Sequence, residues 1–293
     1  MKMDLDIIII TYNQSNFIAQ AMDGLLLQKL RDDINVNVIV ADDSSTDDTL
    51  EIIHHYEQKL PYSFTYIPNN RNLGHVLNYR RAFEKCSGDY IAILEGDDWW
   101  CNPHHIQKHV DFLENHRECV LSSSRPCIYD MNSQKYMMDY FPSEFKPVWY
   151  ISTEENIPWN KITNLSTCVI RASVLRKVIN NEKLWSVDMI DWPLELMLSE
   201  YGLMAKHAEH TTVYRQQNKG LWSGLDDSNQ RKLILRLIDQ SDELLECKYK
   251  AEFDKLRSRL LKGRKKIRIK DFCPPILIQF LLLLVPPFFR RKN

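Results

Sequence analysis

The sequence predicts an α/β fold built on a mostly parallel central sheet flanked by helices. Three observations carry that expectation. Short β-branched runs alternate with amphipathic stretches at the spacing of β-α-β crossovers. One run, Tyr90 to Leu94, is apolar throughout, as a strand buried on both faces must be. Acidic residues crowd at the ends of two such runs, the edge at which open parallel sheets bind ligands.

Leu5 to Ile10 is the first strand, closed by the turn residues Thr11, Tyr12 and Asn13. Ser15 is placed to cap a helix through about Leu30, with Phe17, Ile18, Ala21, Leu25 and Leu26 as its apolar stripe. Val36 to Ala41 is the second strand, and it runs into Asp42 and Asp43. A helix carrying Leu50, Ile53, Tyr56 and Leu60 follows, then a strand at Phe64 to Ile67. Val76 to Lys85 reads as a helix that returns through Ser87 and Gly88 to the acidic strand. Asn102 and Pro103 open the next helix, to about His116. Val120 to Ser123 and Cys127 to Tyr129 are two further strands, and Met131 to Lys161 is irregular and aromatic-rich, a candidate substrate loop. A strand at Cys168 to Ile170 and a helix at Ala172 to Asn180 come next. Asp191-Trp-Pro opens a helix within Asp188 to Tyr201, and Thr211 to Tyr214 is the last strand. From Ser228 a long amphipathic helix begins. The expected organisation is a catalytic-type domain over 1–224 and a helical, basic and apolar segment over 225–293.

Composition narrows the function. With 44% hydrophobic and 26% charged residues the chain is an ordinary globular protein, and a net charge of -1 gives no pull toward nucleic acid. The 7 Cys are scattered without a Cys-x-x-Cys pair, which fits a reducing compartment better than a disulfide framework or a zinc site. Met1 to Ile10 lacks the basic start of a signal peptide. Gly-x-Gly-x-x-Gly and the Walker loop are absent, which argues against a dinucleotide dehydrogenase and a P-loop NTPase.

The chemistry concentrates where the apolar run ends, at Glu95, Asp97 and Asp98. Carboxylates this close repel one another, and burying them unpaired is unfavourable. Mg²⁺ or Mn²⁺ would relieve that, since such sites combine one or two carboxylates with substrate phosphates. The competing reading is a solvated acidic turn. His105 and His109 share a helix face at ligand spacing, but with no third ligand apparent they read as core histidines.

Four segments, taken in order, resemble glycosyltransferase family 2: Ile7-Ile-Ile-Ile-Thr-Tyr-Asn13, Val38-Ile-Val-Ala-Asp-Asp-Ser-Ser-Thr-Asp-Asp-Thr49, Asn72-Leu-Gly74 and Leu94-Glu-Gly-Asp-Asp-Trp-Trp100. The resemblance covers about Asp6 to Gly224 and implies an inverting enzyme of the GT-A fold that uses nucleotide-activated sugars. It implies that Tyr12 and Asp43 hold the nucleobase with Asp42 beside them, that Asn72 lies in the nucleotide site, and that Asp97 and Asp98 meet ribose and metal. Glu95 stands where many relatives carry an Asp. Met189-Ile-Asp-Trp-Pro-Leu194 resembles the family's Glu-Asp segment, with Asp191 as catalytic base and Ile190 in place of the Glu; Glu195 is the reserve candidate. An N-cap role is the alternative for Asp191. Val213 to Gly224 resembles the closing loop, in which Arg215 would reach the diphosphate and Gln217 replaces a frequent His.

These readings imply transfer of a sugar from a nucleoside diphosphate donor, UDP-linked, to a hydroxyl of a glycan or lipid-linked acceptor, with Mn²⁺ or Mg²⁺ as cofactor. A sugar-nucleotide pyrophosphorylase is the rival enzyme, disfavoured because Thr11 to Ser15 contains no Gly, Arg or Lys. A non-catalytic membrane-bound scaffold is the second rival. The end of the chain is basic from Lys262 to Lys270, apolar from Ile276 to Val285 and basic again at Arg290 to Lys292. That apolar run is shorter than the roughly 20 residues a membrane span needs and suits an interfacial segment drawn to anionic lipid. The expected location is peripheral, at the cytoplasmic face of a membrane, and the reading leaves room for a homo-oligomer.

Overall fold

A computed structural model of the chain describes residues 2–138, 147–158, 160–217 and 220–262. The basic and apolar segment that follows Lys262, expected to meet a membrane, lies outside the described residues, as does Trp159. In chain order the elements are β1 (Met3–Thr11), α1 (Ile18–Leu26), β2 (Ile34–Asp42), α2 (Thr49–Glu57), β3 (Ser63–Tyr66), α3 (His75–Lys85), β4 (Tyr90–Glu95) and β5 (Trp99–Trp100). Then follow α4 (His105–Asn115), β6 (Cys119–Asp130), β7 (Lys135–Met138), β8 (Val148–Ile151), α5 (Thr153–Asn156), β9 (Cys168–Arg171), α6 (Ala172–Val178), α7 (Asp191–Ser199), β10 (Leu203–Gln216), α8 (Asp227–Leu244) and α9 (Lys250–Lys262).

The strands form one sheet in the order β3-β2-β1-β4-β9-β6-β10-β5, with β7 on β6 and β8 on β10. β3, β2, β1 and β4 are mutually parallel. β9 is antiparallel to both β4 and β6, so β6 and its parallel partner β10 again run with β1. The mostly parallel sheet is therefore as expected, with β9 inserted antiparallel and β5, β7 and β8 pairing antiparallel on β10 and β6, which apolar runs cannot reveal. Alternation along β1 explains its position. Leu5, Ile7 and Ile9 face a core shared with α1 and α4, and Ile8 and Ile10 face a second core shared with α3, α6 and α7. Asp6 interrupts the apolar pattern yet is 2% exposed. Its carboxylate accepts the backbone N–H groups of Ser87 and Gly88, both at 2.7 Å, and ties the α3–β4 turn to the foot of β1.

Several local expectations need correction. α1 begins at Ile18 rather than at a Ser15 cap, because the Ser15 hydroxyl as well as its N–H is engaged by Asp47. α4 begins at His105 with His104 at the N-cap; Asn102, two residues earlier, accepts His104 N–H on its Oδ1. The two strands read at Val120 and Cys127 are one, β6, because its long parallel pairing with β10 runs through register shifts on either side of His210. The stretch read as irregular contains β7 and β8, which owe their order to pairing with β6 and β10, and α5, which a Ser152–Glu155 capping box starts. α8 is capped by Asp226, whose side chain accepts Asn229 N–H, and so starts before Ser228.

The C-terminal helices pack on α7. Trp192 and Leu196 of α7 join Leu233, Leu237, Phe253 and Leu256 in a separate apolar cluster, while Leu194 and Leu198 face the sheet. α7 is thus buried on two sides. Among the described residues no helix is long and apolar enough to cross a membrane.

Gly24 sets the packing of α1 on β5: a Cβ there would stand 2.8 Å from both the N and O of Trp100. Gly→Ala inside a helix ordinarily gains about 0.5–1 kcal/mol. Here backbone atoms block it, so Gly24→Ala is expected to destabilise by roughly 1–2 kcal/mol, read as a lower urea midpoint at unchanged m-value.

Candidate active site

Because β1, β2 and β4 are parallel, their carboxyl ends lie on one edge, with Thr11 beside Asp42 and Ile10 beside Glu95. Two loops are stitched together at this edge. Asn13 N–H donates to Ser45 Oγ at 2.8 Å, Asn13 Oδ1 accepts Thr46 N–H, and Gln14 N–H donates to Thr49 Oγ1. This leaves the Tyr12 ring standing out, 44% exposed.

The first acidic pair is turned inward. Both oxygens of Asp42 accept from Ser45. Asp43 accepts Asn69 Nδ2 (2.9 Å) and Leu73 N–H (2.8 Å) on Oδ1, and Gly74 N–H (2.8 Å) on Oδ2. Gly74 has φ 87°, a left-handed conformation that favours glycine, so Asp43 holds the one turn that leads into α3. Asn72 is exposed on that turn. Asp43 and Asp42 therefore shape the loops around Tyr12 and Asn72, and their oxygens are already engaged.

The second acidic group is different. A tight turn, Asp98 N–H to Glu95 O at 2.9 Å, brings Glu95, Asp97 and Asp98 together. Asp98 is 1% exposed; Oδ1 accepts Arg215 N–H (2.9 Å) and Oδ2 accepts Asn164 Nδ2 (2.8 Å). It thereby ties the end of β4 to β10 and to the 3-10 turn Leu165–Thr167. Glu95 and Asp97 remain partly exposed. Glu95 Oε1 accepts the Tyr79 hydroxyl at 2.9 Å, and Asp97 Oδ2 accepts Gln217 Nε2 at 2.7 Å. Asp191 is the first residue of α7, and the N-cap position before it is occupied by Ile190. Burial, with Asp191, Asp98 and Asp97 as neighbours, holds the Glu95 carboxyl well above the usual range. Burial and then Asp97 push Asp98 up to about 7, and burial pushes Asp191 up to about 6. These four carboxyl groups share one electrostatic neighbourhood.

Arg215 supplies positive charge to the cluster from beneath. Its guanidinium lies over Trp99 (4.7 Å) and Phe17 (4.8 Å), Nε donates to Asp97 O at 2.8 Å, and Nη2 donates to Gln20 Oε1 at 2.7 Å. It is 6% exposed, so it braces the acidic turn rather than standing free in solvent. Glu195, one turn along α7, is fully buried and accepts Asn156 Nδ2. His105 and His109 are buried beneath Trp100, their Nδ1 atoms bonded to the hydroxyls of Thr211 and Ser122. Among the described residues no three His, Cys, Asp or Glu side chains are placed to hold a metal ion by themselves.

Asn164, Gln14, Gln20 and Tyr79 belong to the site and escaped the sequence reading. Each acts across a long stretch of sequence, and none sits in a local pattern that marks it.

Comparison with known proteins follows the same lines. The family model described as "Glycosyl transferase family 2" matches residues 6–179, a range that ends before Asp191. An uncharacterized protein of Mycobacterium tuberculosis H37Rv is 32% identical over 222 residues, 74% of this chain; the chain spans 60% of that relative's length. The Escherichia coli UDP-Glc:alpha-D-GlcNAc-diphosphoundecaprenol beta-1,3-glucosyltransferase WfaP is 26% identical over 74% of this chain and 78% of its own. Among solved structures, Staphylococcus aureus TarS in complex with UDP-GlcNAc superposes with a TM-score of 0.61 at 15% identity, over 92% of this chain and 77% of that one.

The raised pKa of Asp191 has a stability consequence. With about 6 in the fold against 3.8 for the free side chain, its stabilising contribution is present below pH 4 and lost as pH rises through 6. Asp191→Asn is therefore expected to melt a few degrees higher than the parent at pH 8 and at nearly the same temperature at pH 4. Thermal denaturation followed by circular dichroism at both pH values checks it.

Proposed function

The chain belongs to glycosyl transferase family 2, and on that premise we propose that it transfers a sugar, with inversion, from a UDP-linked donor to a hydroxyl of a lipid-linked or growing glycan. The observation that carries this reading is the meeting of Asp191 with Glu95, Asp97 and Asp98 at the carboxyl edge of the parallel strands. In this reading Asp191 is the base and Asp97 stands beside the donor diphosphate. The UDP-sugar donor is supported by the name of WfaP and by the nucleotide sugar bound to TarS, and the lipid-linked acceptor by WfaP.

In this reading the nucleobase stacks on the exposed ring of Tyr12, within a pocket whose walls Asp42, Asp43 and Asn72 hold in shape. The donor diphosphate lies over Asp97. Asp191 accepts the proton of the acceptor hydroxyl as that oxygen bonds to the anomeric carbon, and the bond from that carbon to the diphosphate breaks on the opposite face. Asp98, held by Asn164 and Arg215, fixes the turn on which Asp97 stands.

The donor set fits Mn²⁺ or Mg²⁺. It is all oxygen, and burial weakens each of its acids, with neighbouring carboxylates adding to that at Glu95 and Asp98. Asp97, with Asp98 behind it, would hold the ion, and phosphate and water would complete the shell. Bound there, the cation would stabilise charge on the departing diphosphate.

UDP release from a panel of UDP-sugars, with glycan or polyprenyl-diphosphate-sugar acceptors, tests the reading. Asp191→Asn is expected to lower turnover by about 10²–10⁴-fold with UDP affinity little changed, and parent turnover is expected to fall about tenfold per pH unit below 6. Equal turnover in parent and variant would remove Asp191 from its role.

The basic and apolar end of the chain supports a peripheral place at the cytoplasmic face of a membrane. Deleting the residues after Arg268 is expected to release the protein from vesicles containing anionic lipid in a sedimentation assay. Unchanged sedimentation would assign membrane binding elsewhere.

A further inference from the structure

We propose that residues 160–164 are a strap that fixes the spacing between Asp191 and the acidic turn carrying Asp97, and that Glu195 is the positioning residue that anchors it. The inference rests on the reading of Asp191 as the base and goes beyond it, to what holds that base at its working distance from the diphosphate.

Glu195 lies one turn along α7 from Asp191, on the same side of the helix. It is fully buried; its Oε2 accepts Asn156 Nδ2 at 3.2 Å, and the Asn160 side chain is bonded to the same carboxyl. Burial, with Asp191 nearby, holds that carboxyl well above the usual range, so it stands there as the neutral acid. Asn156, Asn160 and Asn164 recur at even spacing and work alike. Each turns its Oδ1 to a backbone N–H further along the chain: Lys161 at 2.8 Å, Thr163 at 2.8 Å and Ser166 at 2.7 Å. Asn156 and Asn164 direct their amide nitrogens at buried acids, Glu195 for the first and Asp98 Oδ2, at 2.8 Å, for the second. The strap therefore joins the helix that begins with Asp191 to the turn on which Asp97 stands.

The strap is held taut. Lys206, buried in β10, donates from Nζ to Lys161 O at 2.6 Å, and Ile162 is buried in the core that Leu194 of α7 also enters. Between Ile162 and Asn164 stands Thr163, with φ 78°. A β-branched residue seldom occupies this left-handed region. Thr163 is exposed, so core packing of its side chain does not demand the conformation; the anchors on either side impose it. Backbone strain of this kind persists only where the surroundings over-determine it, and it gathers at functional sites.

In-line displacement needs the base, the anomeric carbon and the departing oxygen at fixed separations, and a misplacement of about 1 Å can cost about 10²-fold in rate. A looser strap lets α7 and the acidic turn drift apart. It leaves alone Tyr12 and the turn held by Asp43, where this reading places the nucleobase.

The test measures UDP release from the UDP-sugar panel, UDP affinity by calorimetry and melting temperature, all on the full chain. The variants are Thr163→Gly, Glu195→Ala, the two combined, Glu195→Gln and Asp191→Asn. Thr163→Gly relieves the left-handed strain and frees the backbone. It is expected to lower kcat about 10–100-fold, with UDP affinity little changed and a melting temperature at or above that of the parent. A residue with a structural role alone would not lose turnover while keeping stability. Glu195→Ala is expected to lose kcat similarly, and Glu195→Gln, which keeps a neutral carbonyl for Asn156, to recover most of it. The combined variant is expected to lose no more than the worse single one, since both release the same strap. Parental kcat in Thr163→Gly, or a loss that only follows a fall in melting temperature, overturns the strap; the base reading still stands if Asp191→Asn is inactive. If Glu195→Gln is inactive and Asp191→Asn is not, Glu195 is itself the base and both readings are overturned.

Discussion

A carboxylate without exposure holds the site together. Asp98 is buried at the end of β4, and its two oxygens accept one N–H from β10 and one from the loop before β9. Removing such a group from water is unfavourable unless its hydrogen bonds are made, and charge-assisted bonds to buried carboxylates are worth about 1.5–3 kcal/mol each. The arrangement therefore locks three distant parts of the chain to one atom pair. Trp100 Nε1 to Ser166 O at 2.8 Å and Glu95 N–H to Ser166 Oγ at 3.0 Å repeat the same connection. With the frame fixed by buried groups, Glu95, Asp97 and Asp191 can remain partly open.

The N-terminal half of this fold was readable because its signals are local. β1, β2 and β4 are apolar runs with turn residues after them, and α1 and α3 show helical spacing, so element types and order followed from windows of about ten residues. The segment from Met131 to Lys161 resisted for the opposite reason. β7 and β8 are four residues each and exist through pairing with β6 and β10, distant in sequence. The length of β10 was missed likewise: Lys206, His207, Glu209 and His210 look like loop residues, yet Lys206 and His207 are buried in the strand. Tertiary pairing overrides propensity there.

The site was legible in residue type more than in role. Acidic residues at strand ends pointed to the carboxyl edge of the sheet, but spacing cannot say which carboxylates will be consumed by their own loops. Asp42 and Asp43 are so consumed, by Ser45 and by the turn at Gly74, while Asp97 and Asp191 each keep a partly exposed flank. The partners that make this distinction, Asn164, Tyr79 and Gln217, are ordinary polar residues in sequence. They acquire meaning only when the sheet brings β4 and β10 together.

The position of Asp191 carries one more step. α7 is gripped on one side by the sheet, through Leu194 and Leu198, and on the other by α8 and α9, through Trp192 and Leu196. Trp192 Nε1 also donates to Asn156 O at 3.0 Å, and Tyr249, at the start of the last helical segment, donates through its hydroxyl to Glu200 Oε1 at 2.5 Å. The first residue of a helix inherits the helix's orientation, so the direction in which Asp191 faces is set as much by α8 and α9 as by the sheet. The C-terminal helices on this account help to aim Asp191. The chain segment that leads toward the basic and apolar terminus is the same one that holds the acid in place.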